Sequence, residues 1–192
     1  MRGSLGLVTT QTSDDGPSLA TGIQPDVVIS GPESVLAERA LASNLEALRA
    51  GDPDLEIIKL YSEGYQSGTL TTHASPSLFG GTKAIVVLDL DEAPEELQAE
   101  LLAYLAAPSE EVTLVVAHKG GVRAKKVLDG MRQAGARVID APMVKSDGDK
   151  AQFAANEFRR RGRKATPGAV RALVEAVGKD LRELAAACEQ LV

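Results

Sequence analysis

Hydrophobic residues along this chain follow two patterns, short continuous runs and recurrence at helical spacing. Five runs, rich in Val and Ile, predict strands at residues 25–30, 55–60, 83–89, 112–117 and 136–140. An uninterrupted apolar run of this length is typical of a parallel strand that is covered on both faces. The strands alternate with four helical stretches. The pattern therefore predicts an α/β fold with a five-stranded, doubly wound parallel sheet.

Helical spacing predicts three long helices at residues 34–50, 94–107 and 122–134, while residues 61–74 predict a loop and a short helix. Pro94 suits the first turn of the second helix, because that turn needs no backbone N–H from it. The first helix carries an apolar face. Its members are Leu36, Ala40, Leu41, Leu45 and Leu48.

After residue 143 the strands cease and only helical patterns follow. Three short helices are predicted at residues 147–161, 167–177 and 180–191. Thr166 is a suitable N-cap before Pro167 at the first helical position, and Gly178 closes that helix. The chain therefore divides into three predicted parts: a disordered leader over 1–24, an α/β domain over 25–143 and a small helical domain over 144–192.

Composition agrees with a globular protein of one full domain and a smaller second one: 192 residues, 44% hydrophobic and 25% charged. Cys188 is the only cysteine, which excludes an internal disulfide and favours a reducing compartment. No run approaches the roughly 18 apolar residues of a membrane span, and no secretory leader opens the chain. We therefore expect a soluble, cytoplasmic protein without a membrane partner.

Charge is distributed unevenly along the chain. The net charge is −6, yet residues 144–192 hold ten Lys and Arg against seven Asp and Glu. The acidic excess therefore belongs to the first 143 residues, which argues against nucleic-acid binding by the α/β part alone. A weak contact between the basic residues of segment 144–192 and nucleic acid remains open.

A bulky pair, Leu78 and Phe79, lies beside Ser77 between Pro76 and two glycines, directly before the third strand. The proline and the glycines indicate a sharp turn that carries the pair. One interpretation places both side chains in the core beside the strand. The other is an exposed hydrophobic plug for a pocket on another protein.

The first strand of such a sheet often precedes a phosphate loop of the form G-x-x-x-x-G-K-[ST]. Here that place reads GPESVLAE from Gly31 to Glu38, so only the first glycine matches. Pro32 removes one N–H donor, and a carboxylate at Glu38 would repel phosphate. The sequence therefore predicts a degenerate nucleotide site, with no bound cofactor and no catalytic residues.

Two further strand ends resemble parts of a nucleotide hydrolase. Asp89, with Asp91 and Glu92, follows the third strand where a magnesium-binding acid could stand, but without phosphates the ion has nothing to bridge. A polar strand end facing solvent explains these acids as well. His118 and Lys119 follow the fourth strand, either as a phosphate-sensing pair or as part of a solvated loop.

A basic run ends the first of the three short helices. Its members are Arg159, Arg160, Arg161, Arg163 and Lys164. Cations complement the dipole at a helix C-terminus, and contact with DNA or a charged partner is the alternative. No metal site is predicted, since His73 and His118 lack partners at ligand spacing. Cys188 is interpreted as a packed thiol.

With these parts in place, the chain resembles the delta subunit of the bacterial DNA polymerase III clamp loader over about residues 26–192. The most specific segments are SPSLFG at 75–80, leading into KAIVVL at 83–88, and the closing VGKDLRELAAACEQL at 177–191. The resemblance implies an AAA+-type first domain that does not hydrolyse ATP, followed by a helical lid-type domain. It also implies that Ser77, Leu78 and Phe79 bind the sliding clamp, the ring-shaped beta subunit.

The same resemblance implies a non-catalytic role in DNA replication, in which the bound clamp ring is opened with the help of the other clamp-loader subunits. Family members carry a third, C-terminal collar domain, and the sequence is expected to lack it because it stops at Val192. Two alternatives remain open. One is an ATP-binding or ATP-hydrolysing enzyme of the same fold, and the other is a DNA-binding module that uses the basic segment 159–164.

Overall fold

The computed structural model describes residues 25–76 and 81–192, and within them five strands form one sheet. The predicted leader over 1–24 and the predicted Ser77–Leu78–Phe79 contact lie outside the described residues. The strands are β1 (Val27–Ser30), β2 (Glu56–Tyr61), β3 (Lys83–Leu88), β4 (Val112–His118) and β5 (Arg137–Asp140).

Within the same described residues, seven α-helices accompany the strands, four between successive strands and three after the last one. They are α1 (Ser34–Gly51), α2 (Thr69–Ala74), α3 (Glu95–Ala106), α4 (Lys125–Gln133), α5 (Asp147–Arg160), α6 (Pro167–Val177) and α7 (Leu181–Gln190). A short 3-10 helix, Leu90–Glu92, follows β3. Among the described residues, no helix has both the length and the apolar character needed to cross a membrane.

All neighbouring strands are parallel, in the order β2-β3-β4-β1-β5. The first strand therefore lies inside the sheet, with Ser30 opposite His118 on one side and Asp140 on the other. The carboxyl ends of β1, β3 and β4 consequently meet at one edge. This confirms the predicted fold class, a five-stranded parallel sheet followed by a small three-helix unit.

Strand residues alternate between two apolar layers, as the two-residue period of a strand requires. Val28, Val87 and Val116 belong to the core beneath α2, α3 and α4. Val27 and Val86 face the other way, toward the core that α1 covers. The sheet is thus covered on both faces, which is why its central strands read as continuous apolar runs.

Helices α5, α6 and α7 share a third core, built around Phe153, Phe158 and Leu184. Val35 of α1 is part of this core, and Leu36 packs against it. The prediction that Leu36 faces the same way as Leu45 and Leu48 was wrong, because Leu36 packs with Val35 against the three-helix unit, while Leu45 and Leu48 pack against the sheet. Helix α1 therefore joins both parts of the molecule.

Local signals at helix ends had mixed outcomes. Thr166 accepts a hydrogen bond from the Ala169 N–H at 3.2 Å and caps α6, as predicted. Gly178 ends that helix at φ −77° rather than in the left-handed conformation typical of closing glycines. Helix α4 starts at Lys125, three residues later than predicted, because Gly120, Gly121 and Ala124 all have positive φ.

Candidate functional site

The loop from β1 to α1 occupies the position of a phosphate loop, but its first two backbone donors, at Gly31 and Glu33, are already engaged. The Gly31 N–H donates to the His118 carbonyl at 2.9 Å, and the Glu33 N–H donates to the Ala141 carbonyl at 3.1 Å. Pro32 has no N–H to offer. Three successive positions therefore provide no donor to an incoming phosphate.

Gly31 is fixed by close packing of this loop against the chain beyond β5. It adopts φ +147°, and a Cβ placed there would lie 2.1 Å from the Ala141 carbonyl oxygen. Only glycine fits such a contact. The one glycine that matches the phosphate-loop pattern thus serves backbone packing at this point.

A cavity of about 300 Å³ opens at this edge of the sheet, beside the start of α1. Its polar lining includes Ser34, Glu38, Asp89, His118 and Lys119, and leucine and alanine side chains supply much of the remaining wall. The predicted degenerate-site residues Gly31, Glu38 and Asp89 are therefore brought together around one cavity, although 58 positions separate Gly31 from Asp89 in the sequence.

The acidic end of β3 is neutralised by a lysine. The Lys119 ammonium donates to Asp89 at 2.9 Å and to Glu92 at 3.0 Å, and hydrogen bonds to these carboxylates raise the pKa of Lys119. The Lys119 N–H also donates to an Asp91 carboxylate oxygen at 3.0 Å. Asp89, Asp91 and Glu92 thus bind Lys119 and hold the loop that follows β4 in place. Within the described parts of the chain, no group of three or more His, Cys, Asp or Glu side chains is arranged to hold a metal ion.

His118 is buried and ties its own loop together. Its Nδ1 accepts the Gly120 N–H at 2.8 Å, so the proton is on Nε2, which donates to the Arg123 carbonyl at 3.0 Å. Both ring nitrogens are therefore engaged within the loop. These contacts give His118 and Lys119 roles in holding their loop, although His118 is buried rather than solvated.

Glu38 has a partner that the sequence did not indicate, Arg182 at the start of α7. The Arg182 guanidinium donates to both carboxylate oxygens, from Nη2 at 2.6 Å and from Nη1 at 3.0 Å. Nη2 also lies 3.4 Å from the Ser34 hydroxyl oxygen. The hydrogen bond from Arg182 lowers the pKa of Glu38, and the same bond raises the pKa of Arg182.

A second ion pair joins α1 to the three-helix unit one residue further along. Arg39 donates to Glu157, whose side chain keeps only 3% exposure, and the Arg39 guanidinium lies 4.7 Å from the centre of the Phe153 ring. Arg161 donates to the other oxygen of Glu157 at 2.8 Å. One buried carboxylate thus binds two arginines from different elements.

The predicted basic run 159–164 does not form one continuous surface. Arg161 is committed to Glu157, and Arg159 donates to Asn156 on its own helix. Arg163 lies 3.5 Å from the Val192 carbonyl oxygen. Arg160 and Lys164 are exposed. The sequence could not separate these roles, because the partner of Arg161 is itself paired with a residue 118 positions away.

Helix α2, which precedes the Leu78–Phe79 segment, is held at both ends by charged side chains. At its N-terminus the Glu100 carboxylate accepts the Gly68 N–H at 2.6 Å and the Tyr65 hydroxyl at 2.9 Å. At its C-terminus the Lys83 ammonium donates to the carbonyls of His73 and Ser75, each at 3.1 Å. A carboxylate at the start and an ammonium at the end both complement the helix dipole.

The five-stranded parallel sheet with its attached three-helix unit is a fold that this chain shares with solved structures of P-loop proteins of the AAA+ type. Among solved structures, the Bacillus subtilis DNA clamp loader delta protein (YqeN) matches with a TM-score of 0.61 and 16% identity, covering 88% of this chain and 53% of that one. The Thermotoga maritima RuvB Holliday junction branch migration motor matches with a TM-score of 0.57 and 10% identity, over 87% of this chain and 54% of that one.

The resemblance to a clamp-loader delta subunit is thus confirmed at the level of the fold. This chain spans about half the length of the solved structures it matches. Comparisons with sequence-family models and with curated protein sequences give no match.

Proposed function

We propose that this chain is a delta-type clamp-loader subunit, which binds a sliding clamp and helps to open it without hydrolysing ATP. The observation that carries the proposal is the combination of a clamp-loader delta fold with a phosphate-loop position that has Leu36 and Ala37 in place of glycine and lysine. The Gly31 and Glu33 N–H groups of this loop are also engaged within the protein. In a working phosphate loop the lysine and free backbone N–H groups bind the nucleotide phosphates. Gly31, Glu38 and Asp89 are then the remnant of a nucleotide site.

The clamp contact is assigned to Leu78 and Phe79, with Ser77 beside them. Supporting this, α2 and β3 flank the segment on either side, and Glu100 and Lys83 hold α2 at both ends. A short segment attached to firmly held elements loses less conformational freedom on binding. Each of the two side chains would contribute about 1.5–3 kcal/mol if fully buried in the partner.

Opening of the ring follows if the docked surface fits the clamp better when one of its interfaces is parted. A ligand shifts an equilibrium only by the difference between its affinities for the two states. ATP would then act through the other clamp-loader subunits, by exposing or hiding this surface. The chain itself supplies binding rather than chemistry.

The test is clamp binding by the double variant Leu78→Ala/Phe79→Ala. An immobilised sliding clamp should bind the variant at least about tenfold more weakly than the parent chain, since two anchoring side chains are truncated. Val122→Ala is the matched control, because Val122 is 84% exposed in a different loop. Unchanged affinity in a folded double variant would contradict the proposal.

A nucleotide-binding enzyme is the second candidate, favoured by the RuvB match and by the cavity of about 300 Å³ beside Gly31. If the chain is such an enzyme, labelled ATP should bind it at equilibrium with a dissociation constant in the micromolar range. A DNA contact is the third, since Arg160 and Lys164 are exposed. It requires duplex binding that weakens with salt and with neutralisation of these two residues.

A further inference from the structure

The contact between Arg182 and Glu38 links the beginning of α7 to the beginning of α1, across 144 positions of sequence. Arg182 is held in place locally, because its own N–H donates to the Asp180 carboxylate at 2.7 Å. Its guanidinium therefore points from a fixed helix start toward Ser34 and Glu38. Both of these residues line the cavity at the edge of the sheet.

This end of α1 carries the positive end of the helix dipole, and the Glu33 and Asp180 carboxylates lie close enough to act on Arg182. The first turn of α1 contains no acidic residue, and within the described residues the N-cap Glu33 makes no capping hydrogen bond through its side chain. The helix dipole and the Arg182 guanidinium therefore both favour a negative charge here. The Glu38 carboxylate supplies that negative charge. It accepts both Arg182 donors in a bidentate pair, the geometry in which guanidinium groups also bind phosphate.

We propose that Glu38 is a built-in ligand of the cleft: its carboxylate takes the two Arg182 donors that an external phosphate would take. It thereby closes the cleft to nucleotides and polyphosphates and fastens α7 to α1 at the same time. The inference rests on that part of the proposed function in which the chain does not use ATP itself. It assigns part of the exclusion of phosphate to one side chain, in addition to the missing donors at residues 31–33.

Removing the carboxylate should therefore uncover a weak anion site. In Glu38→Ala, Arg182 loses its partner while Ser34 and the cavity remain. Inorganic tripolyphosphate, measured by titration calorimetry at low salt, should bind this variant at least tenfold more tightly than the parent chain. The gain should disappear in Glu38→Ala/Arg182→Gln, because the donors are then missing.

Asp129→Ala is the matched control, since Asp129 forms a similarly exposed ion pair with Lys125 on α4, outside the cavity lining. It should bind tripolyphosphate no better than the parent. Equal binding by the parent and Glu38→Ala would overturn the proposal. So would equal binding by Glu38→Ala and the double variant, because the anion would then not depend on Arg182.

The fastening role has its own readout. Lys145 is exposed between β5 and α5, so trypsin cleavage after it reports on loosening of the three-helix unit. Glu38→Ala should be cleaved several-fold faster than the parent, and tripolyphosphate should restore the slower rate. A cleavage rate that neither the substitution nor the anion changes would overturn the fastening role.

Failure of this proposal and failure of the proposed function can be told apart. Clamp binding is measured on the same set of variants. Loss of clamp binding in Leu78→Ala/Phe79→Ala together with no anion gain in Glu38→Ala would overturn only the built-in ligand. An anion gain together with unchanged clamp binding by the Leu-Phe variant would overturn only the clamp-binding function.

Discussion

Arg39 and Glu157 form an ion pair between the N-terminal part of α1 and the last turn of α5, with the Glu157 side chain only 3% exposed. Because Glu157 also accepts from Arg161, its removal would leave two guanidinium groups without their shared partner. A buried charge that loses its partner destabilises far more than a surface pair does. The pair therefore controls how firmly the three-helix unit is attached to α1.

Replacement of Glu157 by Ala should lower the free energy of unfolding by about 1–2 kcal/mol, because it leaves two partly exposed guanidinium groups without their shared partner. Urea denaturation followed by circular dichroism measures the change. Glu175→Ala, at an exposed position of α6, is the control and should shift the midpoint little. A loss for Glu157→Ala no larger than that of the control would show that the network is not stabilising.

Gly31→Ala should destabilise the chain by about 3 kcal/mol, through strain at positive φ and a clash with the Ala141 carbonyl. The control is Gly168→Ala in α6, where a Cβ would meet nothing within 4 Å. That change should be neutral or stabilising by up to about 1 kcal/mol, because alanine favours helix. Similar urea midpoints for the two variants would contradict the packing of the loop.

Glu100 should stabilise the folded chain at neutral pH and lose this effect in acid. Burial opposes its ionisation, but hydrogen bonds from Gly68, Tyr65 and Thr71 outweigh burial and lower its pKa. Since the folded pKa lies below the unfolded one, the contribution is complete above the ordinary carboxyl range. It is lost as the pH falls through the folded pKa.

Glu100→Gln should therefore cost about 1 kcal/mol at pH 7, a typical value for an N-terminal helix cap. The difference from the parent chain should vanish in acid, which urea midpoints at several pH values would measure. Amide exchange at Leu70, whose N–H donates to the Tyr65 hydroxyl at 2.8 Å, should quicken in the variant. A stability difference that grows toward low pH would contradict the assigned sign.

Cys188 should be unreactive toward iodoacetamide in the native state. It is fully buried in the core of the three-helix unit, and burial, aided by the nearby Glu157 charge, raises the pKa of the thiol. Alkylation at pH 8 should be slower by about two orders of magnitude than in urea, because the thiolate is the reactive form. Rapid alkylation of the native chain would mean that this core opens readily.

Much of the fold could be predicted because each strand and helix carries its own local pattern. The apolar runs of β3 and β4 indicated double-sided burial, and Thr166–Pro167 located the start of α6 correctly. The direction of Leu36 could not be predicted in the same way. Helical spacing defines a face, but not which neighbour covers each turn of it.

The candidate site was predictable in its residues but not in its contacts. The missing phosphate-loop residues indicated a degenerate site at Gly31 and Glu38. Arg182 gave no local signal, because it lies in an ordinary polar position of α7 and meets Glu38 only after the chain has folded. An ion pair between residues far apart in the sequence depends on the tertiary structure, which the spacing of residues along the chain does not reveal.

The placement of β1 between β4 and β5 has a consequence for synthesis of the chain. Among the described strands β1 is the first to be synthesised, yet its neighbours begin at residues 112 and 137. Until β4 and β5 have both been synthesised, β1 lacks one or both of its neighbouring strands. Its apolar residues Val27, Val28 and Ile29 then remain unpaired in the growing chain. Such non-local pairing slows folding and exposes strand edges that favour aggregation. Shielding of β1 during translation would therefore protect the unfinished chain from aggregation.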